Sequence, residues 1–161
     1  MEVSEMGVAM TLKEYLDTNE FEYEVIDHFP FPNSRNFTED EKKLNNKIAK
    51  PLLLGDEDSY LLAVIPASHR LDIDRLNQAM ARGLTVMNSN ELDETFRDCE
   101  RDSIPPCGDL YGVDTIVDPA LFDEEDVYFE AGDHEIMIHM TGLDFRRLLQ
   151  DAQKHKVSHH L

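Results

Sequence analysis

The sequence predicts an α+β fold with one mixed β-sheet and several short helices. Some of the short predicted strands follow one another directly, whereas helical segments separate others. This order argues against the regular strand–helix repeat of a doubly wound parallel sheet. The 161 residues suit one domain with a hydrophobic core. Residues 1–10 are predicted to be a flexible leader, and residues 11–161 a single domain.

The first elements are predicted from capping and alternation. Thr11 and Glu14 have the spacing of a capping box ahead of a short apolar stripe, which predicts a helix. Residues 21–26 alternate between apolar and acidic side chains and predict a half-buried strand. Residues 28–36 contain two prolines and are expected to be a loop. A second capping box at residues 38–41 predicts a helix that runs toward Ile48.

The middle of the chain predicts a hairpin followed by two helices. The apolar runs 51–54 and 60–65 flank an acidic turn, which is typical of a β-hairpin. Asp72 is predicted to cap one helix, and Asn88 to cap the next after a short strand at residues 84–87. Further strands are predicted at residues 114–118, 127–130 and 135–140, and Thr141 is predicted to cap the last helix.

Charge and composition limit the location and the partners. The net charge of −19 opposes the binding of nucleic acid and of anionic membranes, unless positive charge gathers locally. No apolar run approaches the roughly 18 residues of a membrane span, so no membrane partner is expected. No secretion signal is recognisable, so we predict a cytoplasmic protein in which Cys99 and Cys107 are free thiols.

The loop at residues 98–112 and a single lysine are the main candidates for a site. Pro105 and Pro106 fix two backbone angles in the loop, which is either a rigid connector or the wall of a pocket. Lys50 lies among apolar residues, where a lysine either reaches toward solvent or is held for its charge. His28 and His134 are either ordinary loop residues or ligand contacts.

Several chemistries lack their sequence signature. There is no CxxC pair and no HExxH, so no metal is predicted. There is no GxGxxG motif or P-loop, so no cofactor is predicted. The nucleophile elbow GxSxG is also missing, and Ser103 is expected to shape the backbone rather than to attack a substrate.

Four segments in order resemble one known family. They are Ala49-Lys50 before an apolar strand, YLLAVIPASHRLD at residues 60–72, IPPCG at residues 104–108, and VYFEAGDHE at residues 127–135. Together they resemble the YbaK/prolyl-tRNA synthetase-associated editing-domain family. The resemblance implies a mixed, barrel-like sheet surrounded by helices. It also implies hydrolysis of the ester in mischarged aminoacyl-tRNA, often alanyl- or cysteinyl-tRNA for proline, by a domain that here looks freestanding.

The resemblance also implies roles for individual residues. Lys50 matches the essential lysine of the family and is the predicted catalytic residue. The predicted phosphate contacts of the tRNA acceptor end are Lys42, Lys43 and Lys47. Prolyl-tRNA synthetase is a second candidate partner. The predicted substrate contacts are His28, Asp102, Ser103, Ile104, Pro105, Pro106, Gly108, Gly132, Asp133 and His134.

One position departs from the family pattern. Asp102 stands where the family loop opens with glycine. Three functions therefore remain open. The first is a deacylase that acts on aminoacyl-tRNA in trans, the second is a catalytically impaired binding module of the same fold, and the third, more distant, is a hydrolase of small esters.

Overall fold

Helices and strands are interspersed along the part of the chain that the computed structural model describes, residues 8–27, 43–100 and 103–160. This mixture confirms the predicted α+β class. The α-helices are α1 (Met10–Thr18), α2 (Ile73–Met80), α3 (Ser89–Thr95) and α4 (Gly142–Leu148), and 3₁₀ helices span Gly108–Tyr111 and Pro119–Asp123. The strands are β1 (Glu24–Asp27), β2 (Ala49–Gly55), β3 (Tyr60–Pro66), β4 (His69–Leu71), β5 (Thr85–Val86), β6 (Asp114–Val117), β7 (Asp126–Glu130), β8 (Ile136–Thr141), β9 (Gln153–Lys154) and β10 (Ser158–His160).

The largest sheet is mixed, as predicted, and has the strand order β5-β2-β3-β6-β9. Strands β2 and β3 form the predicted hairpin, with Ala49 opposite Pro66 and Gly55 opposite Tyr60. Strand β6 runs parallel to β3, and β9 runs parallel to β6. The hairpin therefore lies at the centre of the sheet and fixes the direction in which residues 49–55 run.

Both faces of this sheet are buried, which explains the uninterrupted apolar run of β3. Leu62 and Val64 belong to the larger hydrophobic core, whereas Leu61, Ala63 and Ile65 belong to a second core on the opposite face. A strand that is buried on both faces carries apolar residues at successive positions instead of alternating them with polar ones.

Two smaller sheets complete the described structure. Strands β1, β8 and β7 form an antiparallel sheet, and β10 pairs with β4 in a two-stranded ribbon. A parallel bridge between Ile48 and Tyr128 connects the three-stranded sheet to the residues that lead into β2. The described strands form separate sheets and not a closed barrel, so the resemblance overstated the closure. No helix within the described ranges is long and apolar enough to cross a membrane.

The start of α1 differs from the prediction. The helix begins at Met10 and its N-cap position, Ala9, has no capping side chain, so Thr11 lies inside the helix. The backbone N–H of Thr11 instead donates to the Asp98 carboxylate at 2.9 Å. Val8 and Ala9 are buried, and Ala9 N–H donates to the carbonyl of Ala131 at 2.8 Å, so residues ahead of Thr11 already pack against the domain.

Other boundaries follow the sequence more closely. The predicted caps are confirmed at Asp72, Asn88 and Thr141, whose side chains accept hydrogen bonds from the backbone three residues on. The first predicted strand, residues 21–26, begins only at Glu24. The predicted loop 28–36 and the capping box 38–41 lie outside the described residues, and residues 43–45 are helical ahead of Ile48. The short strands β4, β9 and β10 were not predicted.

His139 in β8 forms side-chain contacts with both neighbouring strands of the three-stranded antiparallel sheet. Its ring lies 2.6 Å from a Glu24 carboxylate oxygen and 2.8 Å from an Asp126 carboxylate oxygen, and it stacks on Tyr128 with a centroid distance of 4.7 Å. Burial acts to lower the pKa of His139, but the hydrogen bonds to Asp126 and Glu24 outweigh it and the pKa is raised. The protonated ring therefore stabilises the pairing of β1, β8 and β7.

His139→Gln should destabilise the protein most at mildly acidic pH. Because the folded state raises the pKa, this contribution is fully present below about pH 6.5 and is lost as the pH rises through the raised pKa. The loss should not exceed about 1 kcal/mol, since the pair is partly exposed. Urea unfolding between pH 5.5 and 9 measures the difference from the native protein. In a Glu24→Gln/Asp126→Asn background, the effect of His139→Gln on the free energy of unfolding should no longer depend on pH. An effect of His139→Gln in the native background that grows with rising pH would contradict the assignment.

Candidate functional site

A cavity of about 660 Å³ opens where β2, β5, α3 and the ends of β7 and β8 meet the loop at residues 103–107. Its size lies within the range of small-molecule sites in proteins. The described lining is Asn45, Ile48, Ala49, Lys50, Pro51, Leu52, Leu53, Ala67, Val86, Met87, Asn88, Ser89, Leu92, Ile104, Glu130 and Met137.

Most of this lining is apolar, and it contains one cation and one carboxylate among the described residues, Lys50 and Glu130. Lys50 lies in β2 opposite Ile65 and is exposed, and its side chain forms no ion pair or hydrogen bond with the described residues. The Glu130 side chain at the end of β7 is 23% exposed and lies 3.9 Å from His134 Nδ1. An apolar cavity with both signs of charge suits a small ligand that carries an ammonium group and a polar or anionic group.

The loop on one side of this cavity is held to the turn after β7 by backbone hydrogen bonds. Glu100 N–H donates to the Gly132 carbonyl at 2.8 Å, and Gly132 N–H donates to the Ser103 carbonyl at 2.6 Å. The Ser103 hydroxyl lies 2.6 Å from His134 Nδ1, and His134 N–H donates to a Glu100 carboxylate oxygen at 3.2 Å. These four contacts fix the position of Ile104 in the cavity wall.

Asp98 anchors the other end of the loop. Asp98 is 6% exposed, and its carboxylate accepts hydrogen bonds from Thr11 N–H at 2.9 Å and from the Tyr111 hydroxyl at 2.7 Å. Burial acts to raise the pKa of Asp98, but the hydrogen bonds from Tyr111 and Thr11 outweigh it and hold the pKa below its usual value. The ionised carboxylate thus joins the loop to the start of α1, where negative charge is favourable.

The predicted site residues fall into four groups. Lys50 and Ile104 line the cavity. Ser103, Pro105, Pro106, Gly108 and Gly132 are buried, and Asp133 and His134 form the turn after β7, so these residues support the wall and are not part of the described lining. Lys43 and Lys47 flank Asn45, which does line the cavity. His28, Lys42 and Asp102 lie outside the described residues.

Two residues of the predicted set have clear supporting contacts. Gly108 N–H donates to the Thr115 hydroxyl at 3.0 Å, and a Cβ at Gly108 would lie 2.6 Å from both Thr115 Oγ1 and the Val113 carbonyl. Asp133 accepts a hydrogen bond from Glu135 N–H at 2.7 Å, which closes the turn. Both residues therefore shape the backbone around the site.

The candidate nucleophiles are poorly suited to attack. Ser103 is fully buried. Cys99 and Cys107 are free thiols, as predicted, and burial raises the pKa of Cys99 to about 12 and also raises the pKa of Cys107. A thiol that stays protonated at neutral pH is a weak nucleophile.

Sequence reasoning missed Glu130 and Met137 as parts of the site. Both lie in or beside the segment 127–135 that carries the family resemblance, and they are opposite each other in the pairing of β7 with β8. The alternation of buried Val127 and Phe129 places Glu130 on the other face of β7, so this signal was present. Only the tertiary structure shows that this face meets β2.

The class of this domain is identified by its similarity to known proteins. The chain belongs to the aminoacyl-tRNA editing domain family, whose model matches residues 34–148. The predicted family is thereby confirmed, and a role in aminoacyl-tRNA editing with a tRNA-related partner follows from it. No curated protein matches the chain.

Solved structures show the same fold. A candidate trans-editing enzyme for prolyl-tRNA synthetase superposes with a TM-score of 0.75 at 18% identity, over 98% of this chain and 99% of the other. A candidate signal transduction protein from Marinobacter aquaeolei VT8 superposes with a TM-score of 0.74 at 21% identity, over 92% of this chain. The chain spans 30% of the length of that second protein.

Gly132→Ala should destabilise the domain, since it disturbs the contact between the loop and the turn. Gly132 has a φ of +107°, and an added Cβ would lie 2.8 Å from the Cβ of Ala9. We expect the free energy of unfolding to fall by about 1–3 kcal/mol, measured by urea titration. Gly83→Ala is the matched control, because its Cβ would meet no atom within 4 Å, and it should change stability by less than about 1 kcal/mol. Equal effects of the two substitutions would rule out this role for Gly132.

Proposed function

We propose that the chain is an aminoacyl-tRNA deacylase that acts in trans on mischarged tRNA, with alanyl- or cysteinyl-tRNA for proline as the favoured substrates. The observation that carries the proposal is the position of Lys50, in the wall of an apolar cavity and without an ionic partner among the described residues. The structural likeness to a candidate trans-editing enzyme for prolyl-tRNA synthetase supports the choice of tRNA. Prolyl-tRNA synthetase itself is a proposed partner.

The proposed reaction is attack by water on the ester carbonyl carbon. The water oxygen forms the new bond, the bond between the carbonyl carbon and the ribose oxygen breaks, and the proton lost by water ends on the ribose hydroxyl. The Lys50 ammonium faces the developing negative charge on the carbonyl oxygen. At about 4 Å and an effective dielectric constant near 20, such a charge pair interacts by about 4 kcal/mol. This chemistry needs no nucleophile from the protein, which agrees with the burial of Ser103 and Cys107 and with the raised pKa of Cys99.

Glu130 is the proposed partner for the α-ammonium group of the amino acid. Glu130 and Lys50 line the same cavity. An aminoacyl ester can therefore place its ammonium group near the Glu130 carboxylate and its carbonyl oxygen near the Lys50 ammonium. The surrounding apolar lining strengthens both interactions because it excludes water. The small or apolar side chain of the amino acid then lies against residues such as Leu92 and Met137.

Lys50→Met should lower the single-turnover rate of alanyl-tRNA hydrolysis by about 10²–10³-fold, the usual effect of removing one oxyanion-stabilising group. Release of radiolabelled alanine from alanyl-tRNA for proline, with cysteinyl-tRNA in parallel, measures the rate. Lys13→Met is the matched control, because Lys13 lies on α1, is paired with Asp17 and does not line the cavity. Undiminished hydrolysis by Lys50→Met would show that the proposed role is wrong.

The same assay separates the alternatives through Asp102→Gly, which restores the glycine of the family loop. A native protein that binds tRNA without hydrolysis, together with activity in Asp102→Gly, would identify a catalytically impaired binding module. If neither protein acts on or binds tRNA, the tRNA assignment is wrong. In that case, hydrolysis of a small activated ester that depends on Lys50 would identify the third function.

Glu130→Gln should weaken the use of substrates with a free α-ammonium group. We expect the KM for alanyl-tRNA to rise by about 10-fold or more, since hydrogen bonds between charged groups contribute roughly 1.5–3 kcal/mol. N-acetylalanyl-tRNA is the matched control, because it has no ammonium group to lose a partner. Equal changes in KM for the two substrates would point to a structural effect of Glu130 and against a substrate contact.

A further inference from the structure

The ribbon of β4 and β10 is attached to the core of the domain through Asp118. This residue follows β6 and is 2% exposed. One of its carboxylate oxygens accepts hydrogen bonds from Val157 N–H at 3.1 Å and from the hydroxyl of the fully buried Ser158 at 2.6 Å. The other oxygen accepts a hydrogen bond from Ala120 N–H at 3.0 Å. Because hydrogen bonds to a buried carboxylate are strong and costly to lose, the start of β10 has a fixed position in the domain.

Two histidines that are opposite each other in the ribbon extend these contacts. His69 in β4 pairs with His160 in β10, and the two rings meet edge to face with a centroid distance of 5.3 Å. The Ser158 hydroxyl donates its hydrogen to Asp118, so at 2.8 Å it accepts from His69 Nδ1–H. This bond holds the His69 ring in place, and the contact between the two rings in turn orients His160.

His160 contacts the turn at residues 46–47, which lies ahead of β2. Its Nε2 atom lies 3.2 Å from Asn46 Oδ1, and the Ser68 hydroxyl donates to the same oxygen at 2.5 Å. An amide oxygen only accepts hydrogen bonds, so His160 carries a hydrogen on Nε2 and donates it. Asn46 thus connects the turn to β10 and to the residue that precedes β4.

The same turn contains the peptide groups that set the position of Lys50. The Lys47 carbonyl accepts a hydrogen bond from Tyr128 N–H at 2.9 Å, and the Ile48 carbonyl accepts one from Ala67 N–H at 2.8 Å. Lys50 follows Ile48 by two residues. A shift of the turn therefore changes the start of β2 and with it the place of the Lys50 side chain in the cavity wall.

The side chain of Asn46 supplies the close link between the turn and Ser68. The carbonyl of Asn45, which lines the cavity, accepts hydrogen bonds from Ser68 N–H at 3.3 Å and from Ile48 N–H at 3.4 Å. Both distances exceed the usual range of about 2.7–3.2 Å. The shorter contact of the Ser68 hydroxyl with Asn46 Oδ1, together with that of His160, is therefore expected to restrain the turn more than these backbone bonds do.

We infer that His160 is a positioning residue for the proposed reaction, because through Asn46 it holds the turn that places Lys50 at the cavity. The inference rests on the proposed function, in which Lys50 stabilises the developing charge. His160 is not part of the described cavity lining, so it acts through the backbone and not on the substrate. A displacement of about 1 Å in a catalytic group can lower a rate by about 100-fold. A loosened turn should therefore lower kcat and leave substrate binding nearly unchanged.

His160→Ala should lower kcat for alanyl-tRNA hydrolysis by about 3- to 10-fold while KM stays within about twofold, because it removes one hydrogen bond that restrains the turn. The backbone N–H groups of Ala67 and Tyr128 should exchange with deuterium at least about 5-fold faster, as measured by NMR. His160→Gln places an amide N–H near the position of Nε2 and should restore both values. His159→Ala is the matched control, because His159 lies in the same strand but contacts Asp72, and it should change neither value.

Exchange and hydrolysis together distinguish failure of this inference from failure of the proposed function. Unchanged exchange in His160→Ala, an equal effect of His159→Ala, or no recovery in His160→Gln overturns the positioning role, whatever the rate of hydrolysis. A rise in KM with kcat unchanged also overturns it, since that result would indicate a substrate contact. Faster exchange in His160→Ala alone, with no hydrolysis by the native protein, supports the restraint of the turn by His160 and overturns the deacylase.

Discussion

The parallel bridge at Ile48 is the constraint on which the rest of the structure depends. Tyr128 N–H donates to the Lys47 carbonyl at 2.9 Å, and Ala67 N–H donates to the Ile48 carbonyl at 2.8 Å. Two adjacent peptide groups thus connect the three-stranded sheet on one side to the end of the central hairpin on the other. Because buried backbone groups must be paired, neither sheet can shift without breaking these bonds. Lys50 follows two residues later, so its place relative to Glu130 in β7 is set here.

The second constraint is the contact of Glu100 and Ser103 with the turn after β7. Ser103 and His134 are within hydrogen-bond distance, which by itself is the geometry of a nucleophile and its base. The complete burial of Ser103 and the use of its carbonyl by Gly132 give the pair a structural role instead. Rigid support of this kind matters most for a reaction in which the protein orients an ester and water without attacking either itself.

The features that could be predicted from the sequence are those that depend on residues close together in the chain. The caps at Asp72, Asn88 and Thr141 need only four neighbouring residues, and the hairpin needs only its two apolar runs and the turn between them. The start of α1 could not be predicted, because its partner Asp98 is 87 residues away from Thr11. Sequence distance also limited the prediction of the cavity. Lys50 and Ile104 could be predicted from their neighbouring residues and from the family resemblance, whereas Glu130 reaches the cavity only because the sheets pack together.

An acidic chain can bind RNA if the repulsion from its net charge and the attraction at local contacts act over different distances. Repulsion from the net charge of −19 extends over about a Debye length, roughly 8 Å at physiological ionic strength, and salt weakens it. The proposed contacts of Lys43 and Lys47 with phosphates act at a few ångströms, and salt weakens such contacts through counterion competition. Added salt thus removes a barrier to approach while it loosens the final contacts, so the affinity should depend less steeply on salt than the number of contacts suggests. The same balance disfavours RNA that approaches parts of the surface without local positive charge, because there only the repulsion remains.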